Sequence, residues 1–168
     1  MAFRRAGVPA AVPGAARSAG QGVATGVASA GVDNDIRRTI ALYCHLIDDK
    51  RFDEWGDLFT DDAVFEARGS RFNGRSEIVA SISAMMAQAT TKHLIGACVV
   101  DLLGDDHARA WTDLATFVPT PNGPIVATIG RYHDELRRGP DGRWRFSSRL
   151  LVLAGEPGPA DALPSPAH

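Results

Sequence analysis

Cysteine is scarce: Cys44 and Cys98 are the only thiols in 168 residues, too few for a metal knuckle or a disulfide framework, and this usage fits a reduced, intracellular setting. Long apolar runs are missing, and nothing approaches the roughly 20 residues a membrane span needs. An excess of charge is missing too. Eighteen Lys and Arg face 20 Asp and Glu, and the basic residues are scattered, which excludes an electrostatic platform for nucleic acid or anionic membrane. There is no GxSxG elbow, and "GRSEI" lacks the lysine of a phosphate-cradling loop. What remains, 45% hydrophobic and 23% charged, is the composition of one soluble domain long enough to bury a core, expected in the cytoplasm.

Both ends differ from the middle. Residues 1–32 are mostly Ala, Gly, Val, Pro and Ser, with no acid before Asp33. They lack the large apolar side chains that offset the entropy of ordering, so a disordered tail is expected. Arg4-Arg5 and the "ASA" at 28–30 resemble parts of a targeting signal, but Pro9 and Pro13 interrupt any hydrophobic segment between them. Residues 155–168, with four prolines, read as a second flexible tail. The domain is expected over 33–154.

Within it, Ile36, Ile40, Tyr43 and Ile47 recur at helical spacing and predict a helix over about 34–50, capped by Asp33 or Asn34. "FDEWGDLF" predicts a short second helix, and "TDDAVFEA" a turn and strand. A third helix, entered at Gly74, has Ile78, Ile82 and Met85 as its inner stripe. Four extended segments follow, near 91–102, 107–119, 124–138 and 142–154, divided by turn-forming clusters. Helices first and a strand meander second predict an α+β fold, about three helices packed on a curved antiparallel sheet. One residue breaks the pattern. His93 is a titratable imidazole at the head of a strand that is otherwise small or apolar.

"DDKRFDEWGDLFTDDAVF", "KHLIG" and "GRYHDEL…DGRWRF", in this order over residues 34–153, resemble a SnoaL-like domain of the nuclear transport factor two-like superfamily. That group includes scytalone dehydratase, ketosteroid isomerase, limonene epoxide hydrolase and polyketide cyclases. The resemblance implies a cone-shaped barrel, a bent sheet around a long first helix with an apolar pocket between them. It also implies pairing through the exposed sheet face, as a homodimer or alternatively a trimer. In the dehydratase and dehydrochlorinase branch an Asp near the end of the first helix and a His at the start of the long strand form a catalytic pair; here those positions are Asp48 and His93. Where scytalone dehydratase has a tyrosine directly before that Asp, this chain has Ile47, and its second His and pocket Asn align with Val118 and Tyr132.

The chemistry of such a pair follows from the residue types. An imidazole acts as a base through one nitrogen only when the other is held as an N–H, and a carboxylate does that while stabilising the imidazolium. Together with this chemistry, the resemblance implies a cofactor-independent, dehydratase-like lyase acting on a small apolar oxygenated metabolite such as a polyketide or steroid-like compound. An isomerase, a cyclase or a non-catalytic ligand-binding module is the alternative on the same scaffold. Tyr43 is a third catalytic candidate. Trp55, Phe65, Phe117, Tyr132 and Arg149 are substrate-binding candidates, and Trp111 is core or pocket wall. Tyr132 and Asp134 share one strand face, opposite Arg131 and His133. Cys98, five residues after His93, faces away from it on a strand, which rules out a local Cys–His pair. His45, Asp48 and His93 are a sparse metal-ligand trio; no metal and no other cofactor is assigned.

Overall fold

A computed structural model describes residues 21–159 of the chain. The first helix, α1 (Gln21–Asp48), buries Ile36, Ile40, Tyr43, Cys44 and Ile47 along one side. It begins thirteen residues before the predicted start, inside the segment whose composition predicts no order. Residues 1–20 lie outside the described residues. Extending a helix that packing has already anchored adds one hydrogen bond per residue without a new nucleus, and alanine is the best residue for it. Asp33 consequently sits within the helix and not at a cap, where it accepts a 2.7 Å bond from Arg37, one turn on.

Short α2 (Phe52–Gly56) buries Trp55 completely. Next come β1 (Phe59–Ala67) and β2 (Ser70–Asn73), a hairpin of which the second strand was not predicted. α3 (Arg75–Met86) is entered through Gly74, whose φ of 82° is a left-handed conformation that a side chain disfavours. Its inner stripe holds Ile78 and Ile82, but Met85 is exposed, and Met86, one residue on, packs against the core instead. The four predicted strands are β3 (Lys92–Leu102), β4 (His107–Val118), β5 (Ile125–Arg138) and β6 (Trp144–Leu153), each within two residues of its expected bounds.

The strands form one curled, open six-stranded sheet in the order β2-β1-β6-β5-β4-β3. The α+β class and helix-on-sheet layering are as expected, with one refinement: the sheet is mixed. β1 runs parallel to β6, while every other pair is antiparallel. β1 and β6 are separated in the chain by β2, α3 and β3 to β5, a connection long enough to join parallel neighbours. α1 lies on the concave face against β3 and β6.

The core between helix and sheet is aromatic. Tyr43 meets Trp55, Phe59, Tyr132 and Phe146 at centroid distances of 5.4–6.2 Å, all tilted or edge-on, as ring quadrupoles favour. The guanidinium of Arg149 stands 3.9–4.0 Å from the ring centroids of Tyr43, Tyr132 and Phe146. It forms two parallel 2.8 Å bonds with Asp134, and both side chains are fully buried. Two buried charges are tolerated because each is paired and the cation is wrapped in ring faces.

Candidate active site

Helix α1 ends at Asp48 by a local mechanism. Lys50 takes a left-handed φ of 61°, its N–H bonds the Ile47 carbonyl, and the Arg51 N–H bonds that of Leu46. This closure satisfies the last carbonyls. A carboxylate in the final turn sits at the negative end of the helix dipole and gains nothing there. Its stabilisation comes from elsewhere. The entrance of β3 crosses the helix end and supplies three donors: the His93 backbone N–H to Oδ2 at 2.9 Å, His93 Nδ1 to Oδ1 at 2.6 Å, and Thr91 Oγ1 to Oδ1 at 3.0 Å. The Asp48 side chain is 4% exposed and that of His93 9%. Burial alone pushes the Asp48 carboxyl up, but the His93 backbone N–H, the His93 ring and the Thr91 hydroxyl outweigh it and hold the carboxyl below its ordinary range.

Asp48 is therefore an ionised acceptor at neutral pH, and an acceptor at 2.6 Å from Nδ1 requires the proton on that nitrogen. Nε2 is left as the basic atom. Sequence reading found both members of this pair. It missed Thr91, for which the only signal is its place two residues before His93, on the same strand face.

The strand itself is not regular. Pairing of β3 with β4 runs Ile95↔Leu114, then Cys98↔Thr112, so Gly96 and Ala97 face a single β4 residue, Asp113. This β-bulge shifts the alternation by one. Cys98 consequently points to the same inner face as His93, contrary to the expectation from an unbroken strand, and its Sγ accepts a 3.3 Å bond from Thr112 Oγ1.

The other candidates divide into three groups. Tyr43, Tyr132 and Arg149 converge on the buried Asp134 cluster. Burial raises the pKa of both tyrosines; Arg149 opposes it in each case. Cys44, one turn before Asp48, connects this cluster with the dyad. Burial pushes its thiol up to about 11, and it feels the charges of Arg149, Asp48 and Asp134. Trp55 and Phe65 are buried, the first against Tyr43 and Phe59, the second stacked on Phe72. Phe117 lies on the outer face. Its neighbour Thr116 pairs with His93 and turns inward, so the phenyl ring points away from the dyad into a groove of about 650 Å³ with Leu94, Ile129 and Val152. Trp111 also lies on that face, alternating with inward Ala110 and Thr112, yet it is 9% exposed. His45 is exposed, and among the described residues no three His, Cys, Asp or Glu side chains gather as a metal site would need.

The description of a SnoaL-like domain matches residues 30–150. The chain belongs to the SnoaL-like domain family. Solved structures agree with this SnoaL-like fold. A nuclear transport factor two-like protein with a cystatin-like fold from Novosphingobium aromaticivorans superposes with a TM-score of 0.74 at 24% identity, covering 88% of this chain and 96% of that one. A candidate scytalone dehydratase from the same organism gives 0.68 at 18% identity, over 75% and 86%. A protein from Catenulispora acidiphila, solved in complex with S-DNPA, gives 0.66 at 25% identity, over 73% and 92%. No curated protein matches the SnoaL-like chain. No helix among the described residues is long and apolar enough to cross a membrane.

Proposed function

We propose that this SnoaL-like protein is a cofactor-independent lyase of the dehydratase type, in which His93 is the base and Asp48 its orienting partner. The observation that supports this reading is the 2.6 Å contact between Asp48 Oδ1 and His93 Nδ1 within a largely buried pair. In the proposed step Nε2 removes a proton from a carbon next to a carbonyl group. The electron pair forms the new C=C bond, a β-hydroxyl leaves, and the imidazolium returns its proton so that the departing group is water. General acid–base work of this kind contributes about 10²–10⁴-fold. The substrate class is a small, largely apolar oxygenated ring compound of the polyketide or steroid type. Tyr43 and Tyr132 are the phenols proposed to meet a substrate oxygen, with the Arg149–Asp134 pair holding them in place and Trp55 and Phe65 as apolar wall; Phe117, on the outer face, takes no part.

The test uses Asp48→Asn and His93→Ala with a panel of cyclic β-hydroxy ketones in deuterated water. Loss of water from the substrate by the parent and not by the variants supports the lyase. Exchange of the α-proton without loss of water points to the isomerase or cyclase alternative. Unchanged turnover in both variants removes the dyad, and binding with neither reaction identifies a ligand-binding module.

The family resemblance further supports self-association through the outer sheet face, where Leu94, Val126 and Ile129 are each at least half exposed. Sedimentation of the parent against Ile129→Lys distinguishes dimer from trimer; a monomer at micromolar concentration removes this part of the proposal.

A further inference from the structure

Three consecutive residues at the entrance of β3 address one carboxylate. Thr91 and His93, two apart, share a face and reach Asp48 directly. Lys92 lies between them on the other face, and its Nζ approaches Oδ2 to 3.6 Å while its side chain stays 57% exposed. That distance is beyond a hydrogen bond, and an exposed ammonium is screened, so Lys92 adds charge without fixing geometry. Thr91 differs on both counts. Its bond is 3.0 Å, partly buried, and made by a β-branched side chain with a stiff χ1.

We propose that Thr91 is the positioning residue of the dyad: its hydroxyl fixes the Asp48 carboxylate so that Oδ1 meets Nδ1 and the proton stays on that nitrogen. The inference rests on the reading of Asp48 and His93 given above. The torsion of a carboxylate about its last bond is broad, so its plane must be set by its partners. Of the other two close donors, the His93 ring bonds Oδ1 and moves with the imidazole, while the His93 backbone N–H bonds only Oδ2. Thr91 supplies the anchor on Oδ1 that is independent of the imidazole. It therefore holds Oδ1 in place while His93 gains and loses a proton. A hydroxyl has a single donor, and here the carboxylate takes it. The hydroxyl is also among the groups that hold the Asp48 carboxyl below its ordinary range.

The test needs no substrate. Long-range ¹⁵N–¹H correlation spectra of the labelled full chain, with His93→Ala for assignment, report which ring nitrogen of His93 carries the proton. The parent is expected to show the Nδ1–H form alone. Thr91→Val should give a mixture of tautomers and move the titration of the Asp48 carboxyl to higher pH; Thr91→Ser should restore both, and Lys92→Ala should leave the tautomer unchanged. Thr91→Ala replaces the valine variant if that chain does not fold. A single Nδ1–H tautomer together with a parent-like Asp48 titration in the hydroxyl-less variant overturns the proposal. Asp48→Asn separates the two levels. A parent-like tautomer there removes the dyad and this inference with it, whereas a changed tautomer there and an unchanged one in Thr91→Val removes this inference alone. With a substrate in hand, Thr91→Val should lower kcat on the order of tenfold at unchanged KM, because a misplaced base loses orientation and not binding.

Discussion

Replacing Asp48 by asparagine keeps the shape of the side chain and changes what it can accept. Three donors converge on the carboxylate, two on Oδ1 and one on Oδ2. An amide has one oxygen and two N–H donors. If the amide oxygen takes the Oδ1 place, the NH₂ group faces the His93 backbone N–H, and two buried donors oppose each other. If it takes the Oδ2 place, the NH₂ group faces both Thr91 and Nδ1, and His93 must change tautomer to accept. Each arrangement forfeits at least one bond to a charged group, worth about 1.5–3 kcal/mol, and leaves a donor unsatisfied for about 1–3 more. Relaxation recovers part of this, so we expect a net loss of about 2–4 kcal/mol at pH 7. For a domain of this size that lowers Tm by roughly 6–15 °C. The pH dependence supplies a second check. The folded Asp48 carboxyl titrates below its ordinary value, so its contribution is present at neutral pH and disappears as pH falls below about 4, through the folded value. The difference between parent and Asp48→Asn should accordingly be largest at neutral pH and shrink in acid. Thermal melts from pH 7 to pH 3 measure it. Equal melting temperatures at pH 7, or a difference that does not change with pH, would refute the reasoning.

The core cluster and the sheet give further expectations. Arg149→Met leaves Asp134 buried without its cation and should cost about 3–5 kcal/mol in urea denaturation, whereas adding Asp134→Leu should recover much of that loss. A Cβ on Gly130 would come within 2.4 Å of the Val152 carbonyl oxygen, so Gly130→Ala should destabilise by about 1–3 kcal/mol despite its small size. With its thiol buried and pushed up to about 11, Cys44 should resist a disulfide reagent at pH 8 in the folded chain and react on unfolding. Two equally fast thiols in the native state would contradict that burial.

The sequence by itself determined most of the elements, and its resemblance to a known family pointed to the Asp48–His93 pair. Periodicity, turn chemistry and the order of helices and strands are local properties, so they predict β3 to β6 within two residues and place α+β layering around α1. His93 stood out as an imidazole heading an apolar strand, and Asp48 was legible as its partner through the resemblance to the dehydratase branch. Tertiary structure decided the rest. Alternation tells which residues share a face but not which face is inner, so Phe117 turns outward while its neighbour Thr116 joins the dyad side. A bulge has no period; the one extra residue where Gly96 and Ala97 oppose Asp113 carries Cys98 to the inner face. The parallel contact of β1 with β6 joins segments far apart in the chain, and the pairing of Asp134 with Arg149 depends on the register between β5 and β6. No short stretch of sequence encodes a register, because it is set by the sum of packing across the whole sheet.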